Sequence, residues 1–214
     1  MKIKPKMTAN YPELYKKHFV EKSFDRLELF RIIRSKFKVK KGLYPGSFVH
    51  ITPSLVIPEM VYVDTDERCK RFFEEKETRV FVNTKKEYRA EAVFRFHENN
   101  YNTELKEDLN SFDLLISLHA GFISRCCQKY LEKDGILIAN NSHGDAPLAF
   151  LDKRFDFVGV VNRRGVKFTY NNDNLESYFI PKSGTKLNKR EIEKTMRGPA
   201  YTKTAYVYVF RKKK

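Results

Sequence analysis

Residues Lys40–Glu75 read KKGLYPGSFVHITPSLVIPEMVYVDTDERCKRFFEE. A weak strand, Gly42-Leu43-Tyr44, is ended by Pro45-Gly46-Ser47. A strong one, Met60-Val61-Tyr62-Val63-Asp64, is followed by a helix from about Glu67 to Glu75. Gly46 lacks a Cβ, so the backbone there can come close to a ligand. Eighteen residues later Asp64 ends the second run, where a carboxylate can accept both hydroxyl hydrogens of a ribose. A dinucleotide site would carry GxGxxG at the start of a helix to hold pyrophosphate, and only one of those glycines is present. The pattern points away from NAD and toward a nucleoside-type ligand.

The rest of the chain extends this unit. Leu27, Phe30, Ile33 and Phe37 recur at three- and four-residue intervals, which predicts one or two helices over residues 12–38, broken near Lys22-Ser23, with Asn10 as a cap candidate. Ala90 to Phe96 and Phe112 to Ser117 read as a third and a fourth strand, with room for a short helix in the polar stretch between them. His119 to Lys133 is amphipathic, Gly135 to Asn140 is a fifth strand, and Phe155 to Val161, Val166 to Tyr170 and Ala205 to Phe210 supply late strands. Strand and helix in alternation imply a parallel sheet with helices on both faces.

Composition narrows the partners. The 214 residues are 41% hydrophobic and 32% charged, which is globular. No run of about 18 apolar residues and no signal-peptide pattern is found, so the expectation is a cytoplasmic protein without stable membrane insertion. Cys69, Cys126 and Cys127 form no CxxC, which fits a reducing compartment and argues against structural zinc. The net charge of +15 is uneven. Residues 1–41 hold 13 Lys and Arg against 4 Asp and Glu, and residues 181–214 hold 11 against 2, so each end carries +9 and residues 42–180 carry −3. Such ends draw anionic partners, nucleic acid among them, or serve as solvated faces.

In a doubly wound sheet a ligand binds beyond the carboxyl ends of the strands. The residues following each run are Pro45-Gly46-Ser47, then Asp64-Thr65-Asp66, then His97-Glu98-Asn99, then Leu118-His119, and finally Asn140-Asn141-Ser142-His143-Gly144-Asp145. Polar groups gather where a site is expected.

Together LYPGS, VYVDTD, FDLLIS and LEKDGILIANNS, with a closing AYVYVF, resemble the class I S-adenosylmethionine-dependent methyltransferases over roughly residues 42–210. The resemblance implies a three-layer α/β Rossmann-like fold, mainly parallel and seven-stranded, with an antiparallel C-terminal strand. Residues 1–41 would be a basic helical extension and 42–214 the methyltransferase-like domain. It further implies S-adenosylmethionine as cofactor. Tyr44, Pro45, Gly46 and Ser47 would form its first loop, Asp64 and the adjoining Thr65 its ribose contact, His97, Glu98 and Asn99 its adenine loop, and Ser117-Leu118-His119 the reaction edge. The family's first loop usually reads D/E-x-G-x-G-x-G. Here Gly46 alone is kept, and Tyr44 or Lys41 stands where the acid is expected. No N/D-P-P-Y/F/W follows the fourth strand, so amino-methylation of adenine or cytosine is not indicated, and no Pro-Cys lies in place, which removes cytosine C5 chemistry.

The segment NNSHGDAP, residues 140–147, has three readings. It can be a tight turn satisfied by its own side chains. His119 or His143, oriented by Asp145, can be a general base toward the acceptor. The same three residues can hold a divalent metal in a hydrolase. The leading expectation is methyl transfer to an acceptor the sequence does not identify, an anionic one being compatible with the charge. The alternatives are a non-catalytic methyltransferase-like fold that binds nucleic acid through its basic ends, and that hydrolase.

Overall fold

A computed structural model of the chain describes residues 10–213. Its centre is one sheet of eight strands: β1 (Lys41–Pro45), β2 (Glu59–Asp64), β3 (Val93–Glu98), β4 (Phe112–Ser117), β5 (Leu131–Ala139), β6 (Phe155–Arg164), β7 (Lys167–Asn171) and β8 (Val207–Lys212), in the order β3-β2-β1-β4-β5-β8-β6-β7. β1 to β5 are parallel, and β8 enters antiparallel between β5 and β6. The sheet thus has eight strands rather than seven. The additional one is β7, which folds back on β6 through a turn at Gly165 and forms the edge.

Both faces of the central strands β2 and β4 are covered, so these are largely apolar with side chains sorted by a period of two, while β3 at the edge exposes Val93 and Arg95. Tyr44, Met60, Tyr62, Leu114 and Ile116 face one layer, which holds Phe30 and Ile33 of α2 (Leu27–Phe37), Phe72 and Phe73 of α3 (Glu67–Glu74), and Phe81 and Val82 of α4 (Lys76–Lys85). Leu43, Val61, Val63, Leu115 and Leu137 face the other, which holds Ile123 and Cys127 of α5 (Ile123–Cys127) and Ala146 and Ala149 of α6 (Asp145–Leu151). A last helix, α7 (Lys189–Thr195), sends Ile192 inward.

Several local expectations are corrected. The first helix, α1 (Glu13–Tyr15), runs on as a π-turn over Lys16–Val20; its N-cap is Pro12 and no side chain caps it, so Asn10 does not. The break near Lys22-Ser23 is present. Among the described residues no helix lies between β3 and β4. The amphipathic stretch 119–133 yields only the five residues of α5, because β5 begins at Leu131. Lys212 explains part of this: its buried Nζ donates to the carbonyls of Gln128 and Leu131 and to Asn110 Oδ1, closing the turn after α5. β8 therefore runs through Lys212. Residues 1–9, with three of the lysines of the basic extension, and Lys214 lie outside the described residues. Among the described residues no helix is long and apolar enough to cross a membrane.

Candidate cofactor and acceptor site

Strand register decides which residues meet. Pro45 pairs with Val63, Leu43 with Leu115, and Ser117 with Ala139. Gly46, Asp64, Ser117 and Asn140 consequently line one edge, the carboxyl edge of the parallel strands, and Asn140 N–H donates to Ser117 O at 3.2 Å.

The loop after β1 is tied to the end of β2. Gly46 N–H donates to Val63 O at 2.7 Å, and Phe48 N–H donates to Asp64 Oδ2 at 2.7 Å. Asp64 Oδ1 accepts from Asp66 N–H at 3.0 Å. An ionised carboxylate has about four acceptor positions, and among the described residues two of them are used. Gly46 has φ +64, a conformation costly for residues with a Cβ, and a Cβ built there would lie 2.0 Å from that of Ala120. The face of Gly46 is thus covered by the Ala120 methyl, from a β4 loop in which His119 (φ 64) and Gly121 (φ 90) are both left-handed. Tyr44 is buried with its hydroxyl 3.0 Å from His50 Nδ1. Ser47 is buried and donates to Phe48 O.

The β3 loop borders the same end of β2, with Asn99 N–H donating to Asp64 O at 3.1 Å. Thr65 beside it is exposed. His97 Nε2 lies 2.8 Å from Glu107 Oε1, and Arg95 holds the same carboxylate; burial raises the Glu107 pKa while these two partners lower it further, for a net fall. Glu98 pairs with Lys70 at 3.2 Å. Asp66 caps α3 by accepting from Arg68 N–H, as a helix-starting acid would.

At β4 and β5 the geometry departs from the acid–imidazole reading. Asp145 is buried and accepts from Ser117 Oγ at 2.5 Å, Ser124 Oγ at 2.6 Å and Ser124 N–H at 2.9 Å; it bonds no histidine. Burial pushes its pKa up to about 6 despite these donors. Ser117 is correspondingly turned to Asp145. His119 is exposed but crowded by loops, and desolvation, then the charges of Arg26 and His143, hold its pKa below the ordinary imidazole range, so it is neutral at roughly pH 7. His143 Nδ1 lies 3.0 Å from Ser142 Oγ, and Ser142 also bonds Asn140 Oδ1, the self-satisfied turn expected for this segment. His119, His143 and Asp145 do not converge: among the described residues no three His, Cys, Asp or Glu are placed to hold a metal ion.

The N-terminal segment bridges this edge. His50, fully buried, has Nε2 2.9 Å from Asp25 O. That carbonyl can only accept, so Nε2 carries the proton and Nδ1 accepts from Tyr44; desolvation, then Arg26, keeps the ring neutral. Arg26 Nε donates to Tyr206 Oη at 2.8 Å, just before β8. Asp25-Arg26 thus spans from the β1 loop to β8. Sequence patterns missed Arg26, His50, Ala120 and Ser124 because each acts through a partner distant in the chain.

No family model matches the sequence, and no curated protein matches it. Solved structures do match the fold. A SAM-dependent methyltransferase from Thermotoga maritima superposes with a TM-score of 0.52 at 12% identity, covering 94% of this chain and 95% of that one. The chain has the fold of the class I SAM-dependent methyltransferases. A protein of Methanococcus maripaludis assigned to the S-adenosyl-L-methionine-dependent methyltransferases gives 0.50 at 10% identity, over 94% of this chain and 90% of that one. A Klebsiella pneumoniae protein assigned as an O-methyltransferase gives 0.50 at 11% over 68% and 77%. On this methyltransferase fold the loops after β1, β2, β3 and β4 meet around Asp64 and Gly46.

Proposed function

We propose that the chain binds S-adenosylmethionine at the carboxyl edge of β1, β2 and β4 and transfers its methyl group to an acceptor lying under the N-terminal segment. The observation that carries this reading is the join between the β1 loop and the end of β2, where Asp64 fixes Phe48 N–H and, among the described residues, uses two of its about four acceptor positions. A ribose fits that carboxylate as it stands. The methionine end fits beside Gly46 when Ala120 withdraws, because the Ala120 methyl fills the close approach that glycine provides.

When bound, the cofactor supplies an electrophilic methyl group. The residues of the chain orient and dry the site, which is where most of the rate advantage of such a transfer arises. Asp64 holds hydroxyls, Thr65, His97 and Glu98 border them, and Pro45, Gly46 and Ser47 form the loop with Tyr44 buried beneath. His119, neutral at roughly pH 7, is the group in this reading that takes a proton from the acceptor. His143 lies beyond it in the β5 turn as a contact on the acceptor side, and Asp145 fixes β4 to α5 and α6 without touching an imidazole.

The second reading, a non-catalytic methyltransferase fold that binds nucleic acid through its basic ends, is favoured by the covered face of Gly46. Calorimetric titration with S-adenosylhomocysteine separates the two: saturable binding supports the first, and its absence with retained RNA binding supports the second.

A further inference from the structure

We propose that the cavity between the N-terminal segment and the β6–β7 hairpin binds a small ligand with a carboxylate or phosphate head and a short apolar body, held at its head by Arg26. This does not depend on methyl transfer. The cavity has a volume of about 270 Å3, with Arg26, Asp25 and Arg163 among its polar walls and Val20, Leu27 and Phe168 among its apolar ones.

Arg26 is 6% exposed and stands in a left-handed conformation, φ 55. Its Nε is used by Tyr206, but among the described residues its two terminal nitrogens make no hydrogen bond and no carboxylate lies within 4.0 Å. The guanidinium carbon lies 5.5 Å from the Phe24 ring centroid and 5.9 Å from that of Tyr206, so the aromatic rings hold the group while its terminal nitrogens are left for an anion that brings its own charge. The planar fork matches carboxylate and phosphate oxygens two at a time. Arg163 also lines the cavity, with Nε on Gly165 O at 2.8 Å and Nη2 on Ser23 O at 2.9 Å, and it too has no carboxylate partner among the described residues.

The acids of the cavity do not cancel these charges. Glu28 is paired with Arg31, which also grips Glu87. Asp25 is the acid left without a cation, and its Oδ1 accepts from Leu27 N–H at 3.4 Å. Two arginines against one aspartate leave a positive site. Its volume is small beside common ligand pockets of roughly 300–1,000 Å3, which suits a head group and short tail rather than a nucleotide.

The test is calorimetry on the full chain at a fixed ionic strength of about 0.15 M. Inorganic phosphate, butyrate and, as the cationic control, butylamine are the probes. One of the two anions should bind saturably and butylamine should not; which anion does so tells phosphate from carboxylate. Arg26→Gln should weaken that binding roughly ten-fold or more, and Arg163→Gln should weaken it by less. Should Arg26→Gln fail to fold, Arg26→Lys keeps the charge without the fork and should bind several-fold more weakly. No saturable anion binding, or affinities unchanged in the variants, overturns the proposal.

Discussion

The methyl group of Ala120 lies against the α-face of Gly46, where an added Cβ would come within 2.0 Å of the Ala120 Cβ. The β1 loop and the β4 loop are therefore in van der Waals contact across the edge on which the cofactor is proposed to bind. Opening this contact should be part of the cost of binding. Ala120→Gly is expected to tighten S-adenosylhomocysteine binding by a few-fold, read by calorimetry. Gly46→Ala should destabilise the fold by roughly 1–3 kcal/mol, through positive φ and overpacking together, measured as a lowered urea midpoint.

Asp145 makes stability depend on pH in a direction opposite to most carboxylates. Its folded pKa is raised from 3.8 to about 6, first by burial. The folded state therefore holds this proton more tightly, and the contribution is fully present below the unfolded pKa and is lost as pH rises through the folded one. A shift of this size corresponds to roughly 3 kcal/mol. Asp145→Asn keeps an acceptor for Ser124 and cannot ionise. Its stability relative to the parent should rise by about that amount between roughly pH 4 and pH 7. A difference that stays constant over this window would refute the assignment.

His119 and His50 should titrate unlike a free imidazole. Loss of hydration lowers both, and Arg26 adds to each. In proton NMR spectra over pH, the His119 ring is expected to titrate below about 6.5, and the His50 ring to stay neutral down to acid unfolding. Arg26→Gln should raise the His119 midpoint. A His119 midpoint above about 7 would remove its role as a base that is neutral at roughly pH 7.

The sheet was legible wherever a strand is buried on both faces. Met60–Val63 and Leu114–Ile116 are uninterrupted apolar runs because helices cover both sides of β2 and β4. β5 hid its beginning: Glu132, Lys133 and Asp134 are exposed, Asp134 has φ 63, and the pairing with β4 shifts register there, so periodicity read the segment as helix. The eighth strand was visible as an apolar run, but resemblance to a seven-stranded family set the expected count. At the site, Gly46 and Asp64 were legible by position, since each follows a strand. The partners of Asp145, Ser117 and Ser124, lie 28 and 21 residues away and carry no local pattern. The same holds for Arg26, whose bond to Tyr206 spans 180 residues.

The most direct measurement is S-adenosylhomocysteine titration of the parent and of Asp64→Ala by calorimetry, with folding of both checked by circular dichroism. Hydrogen bonds to a charged group contribute about 1.5–3 kcal/mol, so the variant should bind roughly 10- to 150-fold more weakly. It should also lose some stability, because Phe48 and Asp66 N–H lose their acceptor. Saturable binding by the parent, weakened to that degree in a folded variant, is the predicted result. No binding by the parent at millimolar ligand, or equal affinity in the folded variant, would contradict the proposal that Asp64 holds the ribose of the cofactor.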